Sequence, residues 1–280
     1  MICKIELWTS YGHPFDIMKT AAPKMSLAPV FYTLAQVQFN PIAQISDYVA
    51  RLQERLRRSG FPDFQAENQL ELTIRRLDES QPDVQPQQHM RWSFMNTERT
   101  EGYLLLSNAL VFHTTTYHTF TDFLQKTISG LKLVHEIVEL AYVERIGLRY
   151  LNAVESINND KLQQYLNPSL LGFSANLEGR LSHSFTETVT VVDDGNLVAR
   201  AVITDGALAL SPDLISLQLK LQPRFTEING RNAVLDTDYF VINRNSFDVT
   251  KIEDQLLKAH DIITNAFKVS VTDYAREKWA

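Results

Sequence analysis

Apolar and polar residues alternate along the chain with two different periods, which together predict a protein of helices and strands. From Phe31 to Phe39 every second residue is apolar or β-favouring, the period of a half-buried strand. Asn40-Pro41 ends this strand. From Ile45 to Leu56 the apolar residues recur at helical spacing, and Gly60 follows as a C-terminal cap. The pattern therefore predicts a strand followed by an amphipathic helix that covers a sheet.

Several closely spaced strands follow this first helix. Short polar turns and a Pro- and Gln-rich loop around Pro82 to Gln88 separate them. Because neighbouring strands joined by short turns must pair antiparallel, this half predicts an antiparallel meander. A second amphipathic helix, from about Thr121 to Leu140 with Thr119 or Thr121 as its N-cap, closes the half. The predicted strands are Gln69 to Arg75, Met90 to Met95, Gly102 to Leu106 and Leu110 to Tyr117.

The strand pattern returns later in the chain. A strand from Val143 to Leu151 comes before a polar connecting segment, residues 158–180. Asp193-Asp194-Gly195 predicts a tight hairpin with a positive φ at the glycine. A last amphipathic helix ends near Val269, before a tail with a helical pattern. The other predicted strands of this half are Ser184 to Val192, Asn196 to Thr204, Leu214 to Leu221 and Asp238 to Ile242.

These elements predict an α+β fold of antiparallel sheets, each backed by long amphipathic helices. The segments Leu131 to Val138 and Leu256 to Ile263 are similar in register, each with a histidine at the same place. Two explanations stay open: duplication of a unit made of a sheet and a helix, or convergence of two amphipathic helices. The expected organisation is an N-terminal extension, residues 1–24, a first α+β half, residues 25–157, the connecting segment, residues 158–180, and a second α+β half, residues 181–280.

The composition is that of an ordinary globular protein, with 44% hydrophobic and 21% charged residues in a chain of 280. The formal net charge is −6, and lysine and arginine are spread along the chain, which argues against nucleic acid as a partner. A single cysteine, Cys3, excludes an internal disulfide framework and favours a cytoplasmic location. Apolar runs are too short for a membrane span, and charged residues before Lys24 argue against a signal peptide.

The sequence lacks the motifs of the common catalytic and cofactor sites. Phosphate loops, the dinucleotide-binding glycine pattern, the His-Glu-x-x-His zinc pattern and the nucleophile elbow are all missing, and glycine is scarce, with ten residues. We therefore expect no cofactor, no metal and no catalytic residue, and the sequence favours a protein that is not an enzyme. Asp236 and Asp238 have the spacing of some metal-binding carboxylates, but aspartates at the start of a strand also serve turn chemistry.

The run from Arg145 to Asn152 holds the first candidate ligand-binding residues. Arg145, Gly147 and Arg149 occupy alternate positions and share one face of a strand. The missing side chain of Gly147 leaves a gap where an anionic group would meet the two guanidinium groups, and Asn152 completes the candidate set. The alternative is that both arginines pair with Asp or Glu of a neighbouring strand, while Gly147 makes room for a packed helix.

Two helix histidines, His135 and His260, are the other candidates for ligand binding. Each lies on or beside the apolar face of its helix, and they occupy equivalent places near one interface if the two halves are related. They would then join the arginines in a cleft between sheet and helix. The alternative is a structural role, in which half-buried histidines hold the helices against the sheet, because no cluster of Asp, Glu or Cys adjoins them.

Three segments of the chain together resemble an uncharacterised, sporadically distributed bacterial family. They are the opening Leu27-Ala28-Pro29, the run Arg145-Ile146-Gly147-Leu148-Arg149-Tyr150-Leu151-Asn152, and the closing pattern through His260 to Trp279. The resemblance spans about Leu27 to Trp279, and the central run is its most specific element. The family has no established activity, so the resemblance implies no catalytic residue. Its patchy distribution implies horizontal transfer, which is typical of defence and toxin–antitoxin gene pairs.

Two functions therefore compete. The first is a non-catalytic protein-binding component, an accessory, immunity or sensor protein of a bacterial defence or toxin–antitoxin-type system, and it predicts a protein partner. The second is a protein or enzyme that binds a small anionic ligand in a cleft near Arg145 and Arg149. In either case the N-terminal arm or an exposed sheet edge would support a homodimer, and neither a nucleic acid nor a membrane is expected as a partner.

Overall fold

The computed structural model describes residues 27–75, 83–156, 160–209 and 219–280, which form one antiparallel sheet with helices. The helices are α1 (Ile45–Arg58), α2 (Phe120–Val138), α3 (Pro223–Thr226), α4 (Val249–Ser270) and α5 (Asp273–Trp279). The strands are β1 (Val30–Phe39), β2 (Asp63–Arg75), β3 (Asp83–Met95), β4 (Glu101–Leu106), β5 (Ala109–Thr114), β6 (Tyr142–Glu155), β7 (His183–Val192), β8 (Gly195–Asp205) and β9 (Arg231–Ser246). Their order across the sheet is β2-β3-β4-β5-β1-β6-β9-β8-β7.

The structure confirms the antiparallel α+β fold and corrects the expected number of sheets. A separate sheet was predicted for each half, but β6 pairs with β1 on one side and with β9 on the other, so one sheet runs through both halves. In the central strand, Thr33 lies opposite Thr114 of β5 and opposite Tyr150 of β6. The two meanders therefore extend outwards from a shared centre at β1 and β6.

Helices α1, α2 and α4 pack on one side of this sheet, here termed the helix face. Alternate side chains of the central strands point towards the helices, because successive residues of a strand face opposite sides. Leu52 of α1, Leu131 of α2 and Leu256 of α4 are buried in this layer. The end of α4, α5 and a short 3-10 turn (Leu162–Gln164) extend the layer around the buried Trp279. The apolar stripes predicted for the long helices are thus the surfaces that cover the sheet.

The predicted N-cap Thr119 is confirmed, and the predicted C-terminal ends of α1 and α2 differ from the observed ones by one or two residues. The Thr119 hydroxyl accepts a hydrogen bond from a backbone N–H of the first turn of α2, at 3.2 Å. Helix α1 ends at the cap Ser59, and Gly60 follows with a φ of 97°, a conformation that costs glycine little because it has no Cβ. The tail forms the short helix α5, whose N-cap is Thr272.

Several strand boundaries differ from the prediction. The predicted loop around Pro82 to Gln88 is wrong from Asp83 onwards, because these residues belong to β3 and pair with β2. Strand β9 begins at Arg231, seven residues before the predicted Asp238. The predicted strand Leu214 to Leu221 lies mostly outside the described residues, and the described residues 219–221 do not form a strand. The N-terminal extension, residues 1–24, also lies outside the described residues.

The predicted hairpin between β7 and β8 is present, but its glycine has a different role. The positive φ, 52°, belongs to Asp193 and not to Gly195. A Cβ on Gly195 would lie 2.5 Å from the Tyr239 ring, and the Tyr239 hydroxyl donates to the Val192 carbonyl at 3.2 Å. The close packing of Tyr239 under the turn, rather than the backbone conformation, therefore requires glycine at this position.

Replacing Gly130 in α2 by alanine is expected to lower the free energy of unfolding by about 2 kcal/mol, the usual cost of overpacking a core. The new Cβ would lie 2.2 Å from Cε1 of Tyr103, a buried ring whose hydroxyl donates to the Lys126 carbonyl at 2.7 Å. This clash outweighs the gain of about 1 kcal/mol that alanine has over glycine within a helix. Urea-induced unfolding measures the difference.

The exposed neighbour Ser129 supplies the matched control in the same helix turn. Ser129→Ala should leave the stability unchanged or raise it slightly, because it changes only helix propensity. Tyr103→Leu removes the ring that meets the new Cβ, so Gly130→Ala should cost much less in that background. An equal cost of Gly130→Ala with and without the Tyr103 ring would contradict this account of the packing.

Candidate functional site

The side of the sheet opposite the helices, here termed the far face, carries the charged residues of the central strands. At one end Phe225 of α3 and the nearby Ile228 cover it by packing against Tyr32 and Leu151. The other end has no such cover among the described residues, and Ile242 is exposed there. The far face therefore combines a covered apolar end with an accessible end.

Arg149 and Asp236 form a buried ion pair at the centre of the far face. Arg149 donates from Nε and Nη2 to the two carboxylate oxygens of Asp236, at 2.7 and 2.6 Å. The two side chains are 9% and 1% exposed. A bidentate pair of this kind satisfies both charges and fixes the plane of the guanidinium. The pair is thus a neutral and rigid unit at the junction of β6 and β9.

Arg200 of β8 extends this pair towards the edge of the sheet. Its Nη1 donates to Asp236 at 3.4 Å, and its Nε donates to Glu187 of β7 at 2.6 Å. With Arg145 and Asp238, described next, these residues make a row of alternating charges that we term the charge ladder: Arg145, Arg149, Arg200, Glu187, Asp236 and Asp238. Three positive and three negative side chains balance in this row.

Arg145 is the most loosely held arginine of the charge ladder. Its Nη2 lies 3.7 Å from Asp238, its Nη1 donates to the side-chain oxygen of Gln36, and its guanidinium lies 4.4 Å above the Phe240 ring. A Cβ on Gly147 would lie 2.9 Å from Arg145 Nη1. The glycine therefore makes room for the folded-back arginine, and not for a packed helix as the pairing alternative assumed.

The electrostatics of the Arg145–Asp238 pair reflect its burial. Burial raises the pKa of the Asp238 carboxyl, and the attraction of Arg145 opposes this effect. Burial likewise lowers the pKa of Arg145, while Asp238 opposes this effect and the like charge of Arg149 adds to it. Both shifts disfavour the charged forms, so this pair is held less firmly than the Arg149–Asp236 pair.

Exposed apolar side chains of β9 and β7 lie on the far face, towards the end of the sheet that carries Arg145. Ile242 lies directly opposite Arg145 and is 68% exposed. Val189 and Val191 of β7 are also exposed and point to the same side as Phe240. Exposed apolar residues grouped on one face of a sheet commonly mark an interaction surface. We term these five residues, Arg145, Val189, Val191, Phe240 and Ile242, the Arg145 patch.

The sheet separates the ligand-binding residues predicted from the sequence. Arg145 and Arg149 lie on the far face, while Asn152 points to the helix face and is buried there. His135 and His260 belong to the helices that pack on the helix face. The structure therefore brings the two arginines together and places the other three residues on the opposite side of the sheet.

Each helix histidine stacks on a phenylalanine beside the start of the other helix. His260 lies on Phe120 of α2 with ring centroids 3.9 Å apart, and its Nδ1 is 3.1 Å from the Tyr150 hydroxyl. His135 lies on Phe247, just before α4, at 4.1 Å. Burial lowers the pKa of His260, which favours the neutral imidazole. These contacts join α2 to the start of α4 and α4 to the start of α2.

A groove of about 350 Å³ opens on the other side of the sheet, at the start of α4. Its volume is at the lower end of the range for small-molecule sites, and Ile146 and Ile252 contribute apolar lining. Two of its charged groups have partners: Lys258 donates to Asp194 at 2.8 Å, and Asp248 caps α4. Lys251 and Asp254 also line it. None of the residues predicted to bind a ligand lines this groove.

No protein-family model matches this chain, and no curated protein matches it. Within residues 27–75, 83–156, 160–209 and 219–280, no three His, Cys, Asp or Glu side chains are close enough together to bind a metal ion. In the same ranges, no helix has both the length and the apolar character needed to cross a membrane. The far face is thus the feature from which a function can be inferred.

The alternative that both arginines pair with acidic residues of a neighbouring strand is confirmed, but the sequence patterns did not identify these residues. Asp236 fell outside the predicted strand and was considered for metal binding or a turn, whereas the structure pairs it with Arg149. A signal was present in the sequence: Asp236, Asp238 and Phe240 occupy alternate positions, as do the residues of the arginine run. Two strands with opposite charges on one face are expected to be neighbours in a sheet.

Proposed function

We propose that this protein is a non-catalytic binding protein that recognises a protein partner through the Arg145 patch. The observation that carries the proposal is the exposure of Ile242 directly opposite Arg145, whose guanidinium stacks on Phe240. Aromatic residues and arginine surrounded by apolar side chains are typical of the centre of protein interfaces. The patch also lies on paired strands, so its geometry is fixed before a partner binds.

The resemblance to a sporadically distributed bacterial family supports a more specific role. Under this proposal the protein acts in the cytoplasm as an accessory, immunity or sensor component of a defence or toxin–antitoxin-type system. The partner would then be the product of an adjacent gene. A single cysteine in the sequence is compatible with the reducing conditions of that compartment.

We further propose that the two halves arose by duplication. When the halves are divided at the start of β6 instead of at the connecting segment, each begins with a central strand, β1 or β6, and ends with the strand that flanks it, β5 or β9. A long helix, α2 or α4, follows in each case. The reciprocal stacking of His135 and His260 on the opposite helix starts also supports an ancestral two-fold relation.

The alternative function, binding or conversion of a small anionic ligand near Arg145 and Arg149, has weaker support. The carboxylates of the charge ladder balance its arginines, and Arg149 already binds both oxygens of Asp236. An incoming anion would have to displace a buried carboxylate, which would then lose its countercharge. A neutral ladder next to exposed apolar residues is better suited to a protein surface than to a free anion.

Replacing Ile242 by glutamate is expected to abolish capture of the partner while leaving the fold intact. The side chain is 68% exposed in the free protein, so the charge is tolerated there, but a partner that covers it would have to desolvate the carboxylate. Loss of one central interface residue typically costs about 2 kcal/mol or more, which corresponds to at least about thirtyfold in affinity. Affinity purification from the native cell, with quantitative mass spectrometry, measures the captured partner.

Val269 near the end of α4 provides the matched control, because it is also 68% exposed but lies away from the far face. Val269→Glu should retain the partner that Ile242→Glu loses, and circular dichroism should show both variants folded. If both variants capture the partner equally well, or if the wild-type protein captures none in stoichiometric amounts, the Arg145 patch is not the proposed binding surface.

A further inference from the structure

Strand β7 lies at the edge of the sheet and is long and regular. It pairs with β8 over ten residues without a register shift, and no described residue continues the ladder on its outer side. Protein edge strands are usually protected by lysine, proline, a bulge or a covering loop. β7 contains no lysine or proline. The turn segment Pro168–Asn176 approaches Thr186 through Gly172, but Thr188 and Thr190 are exposed.

The side chains of β7 are complementary to those of a second β7. A two-fold axis perpendicular to the sheet pairs a strand antiparallel with its own copy and keeps every side chain on the same face of the sheet. Because opposite residues in an antiparallel pair share a face, their sequence numbers must differ by an even number, and the axis lies between the two copies of one residue. An axis at Thr188 places Phe185 opposite Val191 and Thr186 opposite Thr190. Aromatic pairs with β-branched residues and pairs of threonines both stabilise antiparallel sheets.

The charges of β7 also favour this register. Glu187 is held by Arg200 of its own chain at 2.6 Å, and it would face Val189 of the second copy. Just beyond the end of the strand, His183 would face Asp193, whose carboxylate lies 3.3 Å from Lys258 Nζ of its own chain. An axis at Glu187 would instead bring two carboxylates directly opposite each other, which is unfavourable. The charge pattern therefore favours the axis at Thr188 over the axis at Glu187, and the pairs of Phe185 with Val191 and of Thr186 with Thr190 support it further.

We infer that the protein forms a homodimer in which β7 pairs antiparallel with β7 of a second copy about a two-fold axis at Thr188. The pairing joins two nine-stranded sheets edge to edge. Because it uses the edge strand, it leaves Arg145, Phe240 and Ile242 of both copies accessible on the same side of the joined sheet, while Val189 and Val191 contact Glu187 and Phe185 of the second copy. The inference goes beyond the proposed function and does not depend on the identity of any partner.

Charge substitutions at Thr188 test this dimer, because the two copies of residue 188 face each other across the axis. Thr188→Asp and Thr188→Lys are each expected to raise the dissociation constant of the dimer about fivefold, through like charges in direct opposition. An equimolar mixture of the two variants should restore association, since opposite charges then meet. Sedimentation velocity over a concentration series of the full chain measures all three, and the exposed position keeps each variant folded.

Thr190→Asp is the matched control, because residue 190 faces Thr186 of the second copy and meets no like charge. It should leave the dissociation constant of the wild-type dimer unchanged. The inference is overturned if the wild-type protein sediments as a monomer at every concentration. It is also overturned if Thr190→Asp weakens the dimer as much as Thr188→Asp, or if mixing the Asp and Lys variants restores nothing.

Discussion

Replacing Asp236 by asparagine is expected to lower the free energy of unfolding by about 3–5 kcal/mol, because Arg149 then stays buried without its countercharge. Asp236 is 1% exposed and accepts two hydrogen bonds from Arg149 and one from Arg200. An asparagine keeps one acceptor oxygen but turns an amide N–H₂ group towards a guanidinium that can only donate. Urea-induced unfolding of the two proteins at neutral pH measures the loss.

Asp238→Asn is the matched control two residues further along the same face. Asp238 meets Arg145 only at 3.7 Å, and burial raises the pKa of its carboxyl, so the folded protein gains little from this charge. We expect a change of about 1 kcal/mol or less. The double variant Arg149→Met/Asp236→Leu should regain most of the stability, since well-packed apolar residues can replace a buried ion pair. Equal losses for Asp236→Asn and Asp238→Asn would contradict the central role of the Arg149–Asp236 pair.

Acidification is expected to destabilise the protein through His113, a residue of β5 that is fully buried. Burial, together with the positive charge of Arg91, lowers the pKa of His113 to about 3. In the unfolded chain the same imidazole takes up a proton near its ordinary pKa of 6.5. The unfolded state therefore binds the extra proton first as the pH falls, and the stability present above pH 6.5 is lost progressively towards pH 3.

A variant without this imidazole isolates its contribution. The free energy of unfolding of the wild-type protein should fall more steeply than that of His113→Leu, by about 1.4 kcal/mol per pH unit for one proton. Denaturant unfolding at a series of pH values between neutral and moderately acidic gives both slopes. His118→Leu, at an exposed position just beyond β5, should keep the wild-type slope. Parallel curves for wild type and His113→Leu would show that His113 is not the group responsible.

Local sequence patterns predicted most elements of this fold because each is dominated by short-range preferences. The long helices α2 and α4 have wide apolar stripes and capping residues, so their position and ends followed from the sequence. From Leu34 to Phe39 of β1, half-buried and buried side chains alternate, which matches the alternation of residue types that predicted the strand. The hairpin of β7 and β8 followed from its Asp193-Asp194-Gly195 turn, although the positive φ fell on a different residue.

The pairing of distant strands could not be predicted in the same way. The register of β6 with β9 depends on contacts between residues far apart in the sequence, such as Arg149 with Asp236, and no local preference encodes that choice. Buried charges also interrupt the apolar pattern of β9, so the predicted strand began too late. The Arg145 patch was missed for a related reason, since Val189 and Ile242 share one face only after the sheet is assembled.

The central position of β1 in the sheet has a consequence for folding during protein synthesis. Among the strands within the described ranges, β1 leaves the ribosome first, yet Thr33 has its partners in Thr114 and Tyr150, which are synthesised much later. At about 5–20 residues per second, the nascent strand waits on the order of ten seconds for its second neighbour. During that interval Val37 and Phe39, buried in the finished protein, are open to chaperones and to other nascent chains.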